Sequence, residues 1–329
     1  VDNGIHIVDV GASKGRFDRM RNAPGRVLTH AVQLNADVYH LHDPELLQIA
    51  QKLKKLGKRV VFDSHEDVPK QILGKPYLNP LALKCISLGM SIYEKRVCSV
   101  LDGVITATPF IREKFKRINP RTVDINNFPI LDEFSKASGE TVQKREVCYV
   151  GTMVRIRGIV EMFKAMEHLN SDDIRLNLCG VFSEDGLEEE VHSLPGSKKV
   201  DEHGFANREK ISKIFDRSFA GLVCLHPRVN FLDSLPVKMF EYMNAGLPVI
   251  ASDFPLWREI FEECKCGILV DPMNPKAIGD AIQFLADNPE EAQRMGENGQ
   301  VAVHERYNWD QEEIKLMSFY QDLIAGKAN

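Results

Sequence analysis

The sequence predicts an α/β protein made of two doubly wound parallel-sheet domains. Three observations carry this expectation. The chain has 329 residues, long enough for two domains of ordinary size. Short apolar runs bounded by turn residues alternate with segments of helical periodicity, the pattern of a parallel sheet covered by helices on both faces. The alternation breaks once, in a polar stretch that runs to residue 145, and then restarts.

Taken in order, the opening VDNGIHIVDV reads as a strand over 5–10. A helix near 27–36 follows, then strand 37–42, helix 44–56, strand 59–63, a long helix within 79–100, strand 103–106, helix 109–117 and strand 121–126. The turn Asn126-Asn127-Phe128-Pro129 leads into the polar stretch and closes a first domain at 1–128. The second domain, 129–310, opens with strand 146–150 and continues with strands 174–179, 200–205, 219–225 and 266–270. Its helices are expected at 208–217, with Asn207 as cap, and at 275–287 and 289–305. Residues 311–329 form an amphipathic end. In such sheets ligands bind at the carboxyl ends of the strands.

Within the second domain, residues 231–252, FLDSLPVKMFEYMNAGLPVIAS, read as loop, helix, turn and buried strand. Val237, Met239, Phe240 and Met243 recur at helical spacing and Gly246 closes the helix. Pro236 suits the first helical turn, which leaves free N–H groups pointing into the loop, and such a helix start attracts phosphate. Asp233 and Glu241 supply two carboxylates that a polyhydroxylated ligand can engage, and Lys238 adds a cation between them. Earlier, VGTMVRIRGIV places Gly151 at a strand end and Arg155 and Arg157 in the loop before Gly158. Two arginines beside glycines suit a diphosphate, because guanidinium binds phosphate oxygens through paired donors. A Walker loop would need Gly-Lys-Ser or Gly-Lys-Thr, which is absent here.

The acidic-x7-Glu spacing from Asp233 to Glu241, followed by YMNAGLPVIAS, resembles the donor-site motif of the retaining family-4 glycosyltransferases of bacterial surface-polysaccharide type. The resemblance covers nearly the whole chain and is strongest over 146–310. It implies the GT-B architecture, two Rossmann-like domains with the active site in the cleft between them, and a last helix that returns to the first domain. By position it implies that Asp233 contacts the donor sugar, although the usual residue there is Glu. It gives the diphosphate to the loop amides of Ser234 and Leu235 and the ribose hydroxyls to Glu241, and Arg157 stands where many relatives have Lys. On the first domain, the strand ends in DVYHLHDPELL and VVFDSHED supply His42, expected beside the transferred sugar, and His65 with Glu66 on the acceptor side. Phe205 either stacks on the base or belongs to the core. Compared with the family, the opening lacks a first strand and its Gly-rich loop.

Composition bounds the rest. Apolar content of 43% and charged content of 27% are those of a soluble globular protein, and no apolar run is long enough to span a membrane. The seven cysteines are odd in number and lack metal or redox spacing, which points to a reducing cytoplasm, and no signal peptide is read at the start. Residues 1–128 hold 20 Lys and Arg against 13 Asp and Glu, whereas the remainder holds 22 against 34. The basic half suits an anionic acceptor or membrane surface, and nucleic acid is not expected because no aromatics interleave the basic residues. FIREKFKRINPR, with apolar residues set against five basic ones, reads as an interfacial helix, whereas 70–100 reads as a core helix.

Together these readings give a metal-independent hexosyltransferase that moves a sugar from a UDP- or GDP-linked donor to a glycan or lipid-linked acceptor. It needs no cofactor, works in polysaccharide or glycolipid synthesis, and is cytoplasmic or peripheral on the inner face of the plasma membrane. Three alternatives stay open: a nucleotide-sugar epimerase of the same architecture, a catalytically silent nucleotide-sugar-binding partner, and a hydrolase with a metal at His40, His42, Asp43, Asp63 and His65.

Overall fold

The structure is a computed structural model and describes residues 4–75, 79–134 and 145–326. The chain forms two compact units, one made of the residues up to Asn126 together with those from Lys315 onward, the other of Asn127–Ile314. Most of the polar stretch, 135–144, lies outside the described residues, as do 1–3 and 76–78 of the opening and of the 70–100 segment, and 327–329 at the end.

The first unit holds a parallel sheet of four strands in sequence order: β1 (Val38–Leu41), β2 (Arg59–Ser64), β3 (Gly103–Thr106) and β4 (Thr122–Asp124). Val60, Val61, Phe62, Val104 and Ile105 are buried, as the near-continuous apolar runs of a two-sided parallel sheet require. The expected strand at 5–10 does not form. Ile5, Ile7 and Val8 are 66%, 77% and 45% exposed. A strand is held by the ladder it joins, and β1 pairs only with β2 among the described residues. The end of the chain, helix Trp309–Ala325, packs here: a Cβ on Gly103 would meet the Phe319 ring at 2.5 Å, so β3 has room for that ring only because it carries glycine there.

The expected interfacial helix is also corrected. Pro109–Lys116 turns Ile111 and Phe115 into the core, Arg112 pairs with Asp124 at 2.7 Å, and Lys114 pairs with Glu94 at 2.7 Å. Its apolar stripe is the core-facing side of an ordinary amphipathic helix.

The second unit has six parallel strands, β5 (Glu146–Val150), β6 (Arg175–Cys179), β7 (Val200–Glu202), β8 (Ser218–Val223), β9 (Val249–Ser252) and β10 (Gly267–Val270), in the order β10-β9-β8-β5-β6-β7. Successive connections therefore run outward on one side from β5 and, after crossing over, outward on the other side from β8. The strand order reverses between β5 and β8, and the crevice at their carboxyl ends is where such a sheet binds ligands. Each unit is Rossmann-like, and the pair is a GT-B fold.

Candidate active site

The site in the second unit grows out of β5. Tyr149 and Val150 end this strand, and Gly151, which follows it, has φ 141°, a backbone that side chains rarely adopt. A Cβ at Gly151 would lie 2.9 Å from Lys238 Nζ, 3.3 Å from Arg157 Nη1 and 3.5 Å from the Tyr149 hydroxyl. Two cationic side chains and a hydroxyl thus converge on the face of a residue with no side chain, at the switch point of the sheet.

Packing explains why they converge. Helix Val237–Asn244 lays Tyr242 against β8, where Gly221 leaves the space: a Cβ there would sit 2.3 Å from the ring. The Val150 N–H donates to the Tyr242 hydroxyl at 2.9 Å, which ties the helix to the end of β5. Lys238, one turn earlier on the same helix face, then lies with Nζ 4.0 Å from the centroid of the Tyr149 ring. Nζ is buried and finds no hydrogen-bond partner among the described residues. Burial, and next the Arg157 charge, lower this amine from 10.5 to about 7. Lys238, read from the sequence as the cation between the two carboxylates of the motif, takes this position over Tyr149.

Arg157 is placed by the turn before helix Ile159–Ala165. Gly158 packs where a Cβ would be 2.1 Å from the Cys224 carbonyl, and the His226 N–H donates to the Ile156 carbonyl at 2.9 Å. These contacts tie the loop after β5 to the loop after β8. Gly180 continues the same close packing, because its Cβ would fall 1.9 Å from the Gly151 carbonyl oxygen. A backbone oxygen cannot move aside as a side chain can. Gly180→Ala is therefore expected to destabilise the protein by about 1–3 kcal/mol, read from urea denaturation, and an unchanged midpoint would contradict this packing.

Other expected residues fall differently. Arg155 donates to Glu190 at 2.9 Å and lies 3.3 Å from Glu184, so the protein's own carboxylates engage it, and only Arg157 of the pair is at Gly151. The loop expected from Phe231 onward begins inside a helical turn, Val229–Leu232, and the Ser234 N–H and hydroxyl both donate to the Phe231 carbonyl, at 3.1 and 2.9 Å. The Ser234 amide is therefore already bonded. Leu235 is half-buried beside it, and Pro236, with ψ 125°, caps the helix from outside rather than lying in its first turn. Asp233 is half-buried at the end of the short helix. Glu241 is buried and accepts from Arg208 Nη1 at 2.6 Å, so it is not an exposed helix carboxylate. Phe205 is 85% exposed, which removes the core reading.

In the first unit, His42 and His65 follow the ends of β1 and β2. The His40 and His42 rings stack at 4.2 Å, and those of His42 and His65 at 5.7 Å. Asp63 Oδ2 lies 3.4 Å from His40 Nε2, 3.3 Å from His42 Nδ1 and 3.8 Å from His65 Nε2. Burial alone would raise the Asp63 carboxyl, but His40 at 3.4 Å and the neighbouring His65 and His42 imidazoles outweigh it and hold Asp63 below the usual carboxylate range. Burial, and next His40, lower His42. Tyr320 bonds to His40 Nδ1 at 2.6 Å and fixes that ring. Glu66 is exposed and accepts from Gln71. The donor atoms of His40, His42 and Asp63 lie within 4.8 Å of one another, close enough to share a metal ion, whereas Asp43 is paired with Arg19 at 3.2 Å.

The family model described as "Glycosyl transferases group 1" matches residues 132–302, more than half of the 329-residue chain. The chain belongs to this family. As a group 1 glycosyltransferase it is 22% identical over 321 residues to a phosphatidyl-myo-inositol mannosyltransferase of Mycobacterium leprae, covering 94% of this chain and 81% of that protein. Among solved structures, the sucrose-phosphate synthase of Thermosynechococcus elongatus superposes with a TM-score of 0.73 at 18% identity, over 93% of this chain and 79% of that one. Anabaena HepE in complex with UDP gives 0.73 at 13% identity, over 93% and 84%. These structural likenesses show the fold. Four side chains of these two groupings are not picked out by the sequence reading: Tyr149, Tyr242, Arg208 and Tyr320. Tyr149 and Tyr242 carried a usable signal, one lying two residues before the strand-end glycine and the other one helical turn after Lys238.

Proposed function

We propose that this glycosyltransferase moves a sugar from a nucleotide-sugar donor to a hydroxyl acceptor with retention of configuration, without a metal ion, in polysaccharide or glycolipid synthesis. The observation that carries the donor reading is the convergence of Lys238 Nζ and Arg157 Nη1 on Gly151 at the switch point of the second sheet. A guanidinium and an amine facing a bare backbone, the amine buried without a partner among the described residues, suit the diphosphate of such a donor, whose charge favours the ammonium form. The UDP bound to HepE, a protein of the same fold, favours UDP over GDP as the first nucleotide to try.

The anomeric carbon–oxygen bond to the diphosphate breaks, a bond from that carbon to the acceptor oxygen forms, and the acceptor proton passes to a leaving phosphate oxygen. Arg157 and Lys238 stabilise the negative charge that develops on the leaving group, and Arg155, held by Glu184 and Glu190, positions the loop that carries Arg157. Gly151 permits close approach. Leu235 and Ser234 form the wall beside the diphosphate, Glu241 binds the ribose, Phe205 stacks on the base, and Asp233 contacts the sugar. His42 is assigned to the transferred sugar, and His65 with Glu66 to the acceptor, which is a glycan or a lipid-linked sugar. The similarity to a mannosyltransferase named for a phosphoinositide favours a lipid-linked acceptor and work at the cytoplasmic face of a membrane.

Release of nucleoside diphosphate from UDP- and GDP-sugars, with and without acceptors, tests the reading. Acceptor-dependent release is expected; an isomerised donor with no acceptor present would make the chain an epimerase, and binding without turnover a silent partner. A second reading, metal-dependent hydrolysis, is favoured by the grouping of His40, His42 and Asp63. Turnover that persists in excess chelator is the expected result, and its loss, with recovery on adding zinc, would favour the second reading instead.

A further inference from the structure

Helix Pro80–Cys98 has two contrasting faces. Leu83, Ser87, Glu94, Val97 and Cys98 are buried against the first unit. On the opposite side Leu81, Leu88 and Ile92 are 71%, 63% and 60% exposed, and Cys85 lies between them, also exposed. At about 100° per residue these four fall within roughly 60° of one another, a single strip about 16 Å long. Lys84 and Lys95 flank it on one side and Arg96 on the other, all exposed. The helix has one carboxylate, Glu94, and this is turned inward to Lys114 at 2.7 Å. The exposed face therefore carries three cations and no anion.

We infer that this helix lies in the interface of an anionic lipid bilayer, with Leu81, Cys85, Leu88 and Ile92 among the acyl chains and Lys84, Lys95 and Arg96 at the headgroups. The charge pattern selects the occupant. A contiguous apolar strip bordered by cations on both sides matches the boundary between hydrocarbon and anionic headgroups, each basic residue adding attraction near the surface. The 20 Lys and Arg against 13 Asp and Glu in residues 1–128 act in the same direction. Among the described residues no helix is long and apolar enough to cross a membrane, so this contact is peripheral. The inference stands apart from sugar transfer, since lipid binding is read without a donor.

Cys85 gives the direct test, because the other six cysteines are buried and a thiol-reactive, polarity-sensitive fluorophore labels it selectively in the folded chain. On adding vesicles of phosphatidylcholine with about a third phosphatidylglycerol, the label should shift to shorter wavelength and the unlabelled chain should pellet with the vesicles. Vesicles of phosphatidylcholine alone should bind at least about tenfold more weakly. Leu88→Glu with Ile92→Glu should abolish pelleting while circular dichroism stays unchanged, and Met273→Glu, at an exposed apolar position of the second unit, should pellet like the parent. No shift of the label, or equal pelleting of the double variant, overturns the inference. So does sedimentation showing that the strip buries itself in a second copy of the chain, with the double variant monomeric and neither form bound to lipid.

Discussion

Arg157→Ala is expected to lower turnover about a hundredfold while leaving the unfolding transition in place. The guanidinium is half-exposed, and its Nη1 is 3.3 Å from where a Cβ on Gly151 would be and 3.4 Å from the Thr152 carbonyl, so little of the core depends on it. Under the proposed function, its fixed positive charge at the switch point acts chiefly when negative charge develops on a leaving phosphate. The loss should therefore appear in kcat more than in KM. Arg157→Lys should recover part of it, because a cation returns without the paired donors. Unchanged kcat in Arg157→Ala would remove Arg157 from the leaving-group site.

Lys238→Met should weaken nucleoside diphosphate binding at least about tenfold and change how binding depends on pH. In the free protein the Lys238 amine is lowered from 10.5 to about 7, so the folded chain holds fewer protons than the unfolded chain between those values. Stability that depends on the neutral amine is present above 10.5 and is lost as pH falls toward 7. A bound diphosphate has the opposite effect, since an anion beside Nζ favours the ammonium form. At pH 8 binding should take up about one proton, measured as the dependence of the calorimetric enthalpy on the buffer's ionisation enthalpy. In Lys238→Met the uptake should vanish. Uptake of the same size in the variant would show that another group titrates, and none in the parent would show that no anion approaches Nζ.

The sequence was most readable where local chemistry marks an end. Helices 208–217, 275–287 and 289–305 appear as Arg208–Arg217, Pro275–Asp287 and Pro289–Glu305, because Asn207, Asn274 and the prolines at their starts act within one turn. Asn207 accepts from the Lys210 N–H at 2.9 Å, a contact written into four consecutive residues. The strands at 103–106 and 146–150 are equally local, being short apolar runs between turn residues. The opening strand failed because pairing is not local: Ile5 and Ile7 alternate with His6 as a strand would, but a ladder needs a neighbour.

The candidate donor site was legible as a set of residue types and less so as geometry. Arg157, Lys238 and Gly151 could be named from spacing, but their convergence depends on Tyr242 entering the space at Gly221, a contact between a helix and a strand distant in sequence. Arg155 and Arg157 look alike in RIRG, and only the fold, by presenting Glu184 and Glu190 to one of them, tells them apart. The bond from Tyr320 to His40 joins residues 280 apart, and no short pattern announces it. Helix Pro80–Cys98 misled for a related reason, because composition records apolar residues without saying which face the core takes.

The central claim is that the second unit holds a nucleotide through its diphosphate and ribose. Isothermal titration calorimetry of UDP, GDP, ADP and CMP, without added metal, into this chain and into its Glu241→Ala form tests it most directly. The account predicts binding of one nucleoside diphosphate, UDP first, weakened at least about tenfold by Glu241→Ala because the ribose hydroxyls lose a charged acceptor. Absence of binding by all four nucleotides, or binding that Glu241→Ala leaves unaltered, would contradict it.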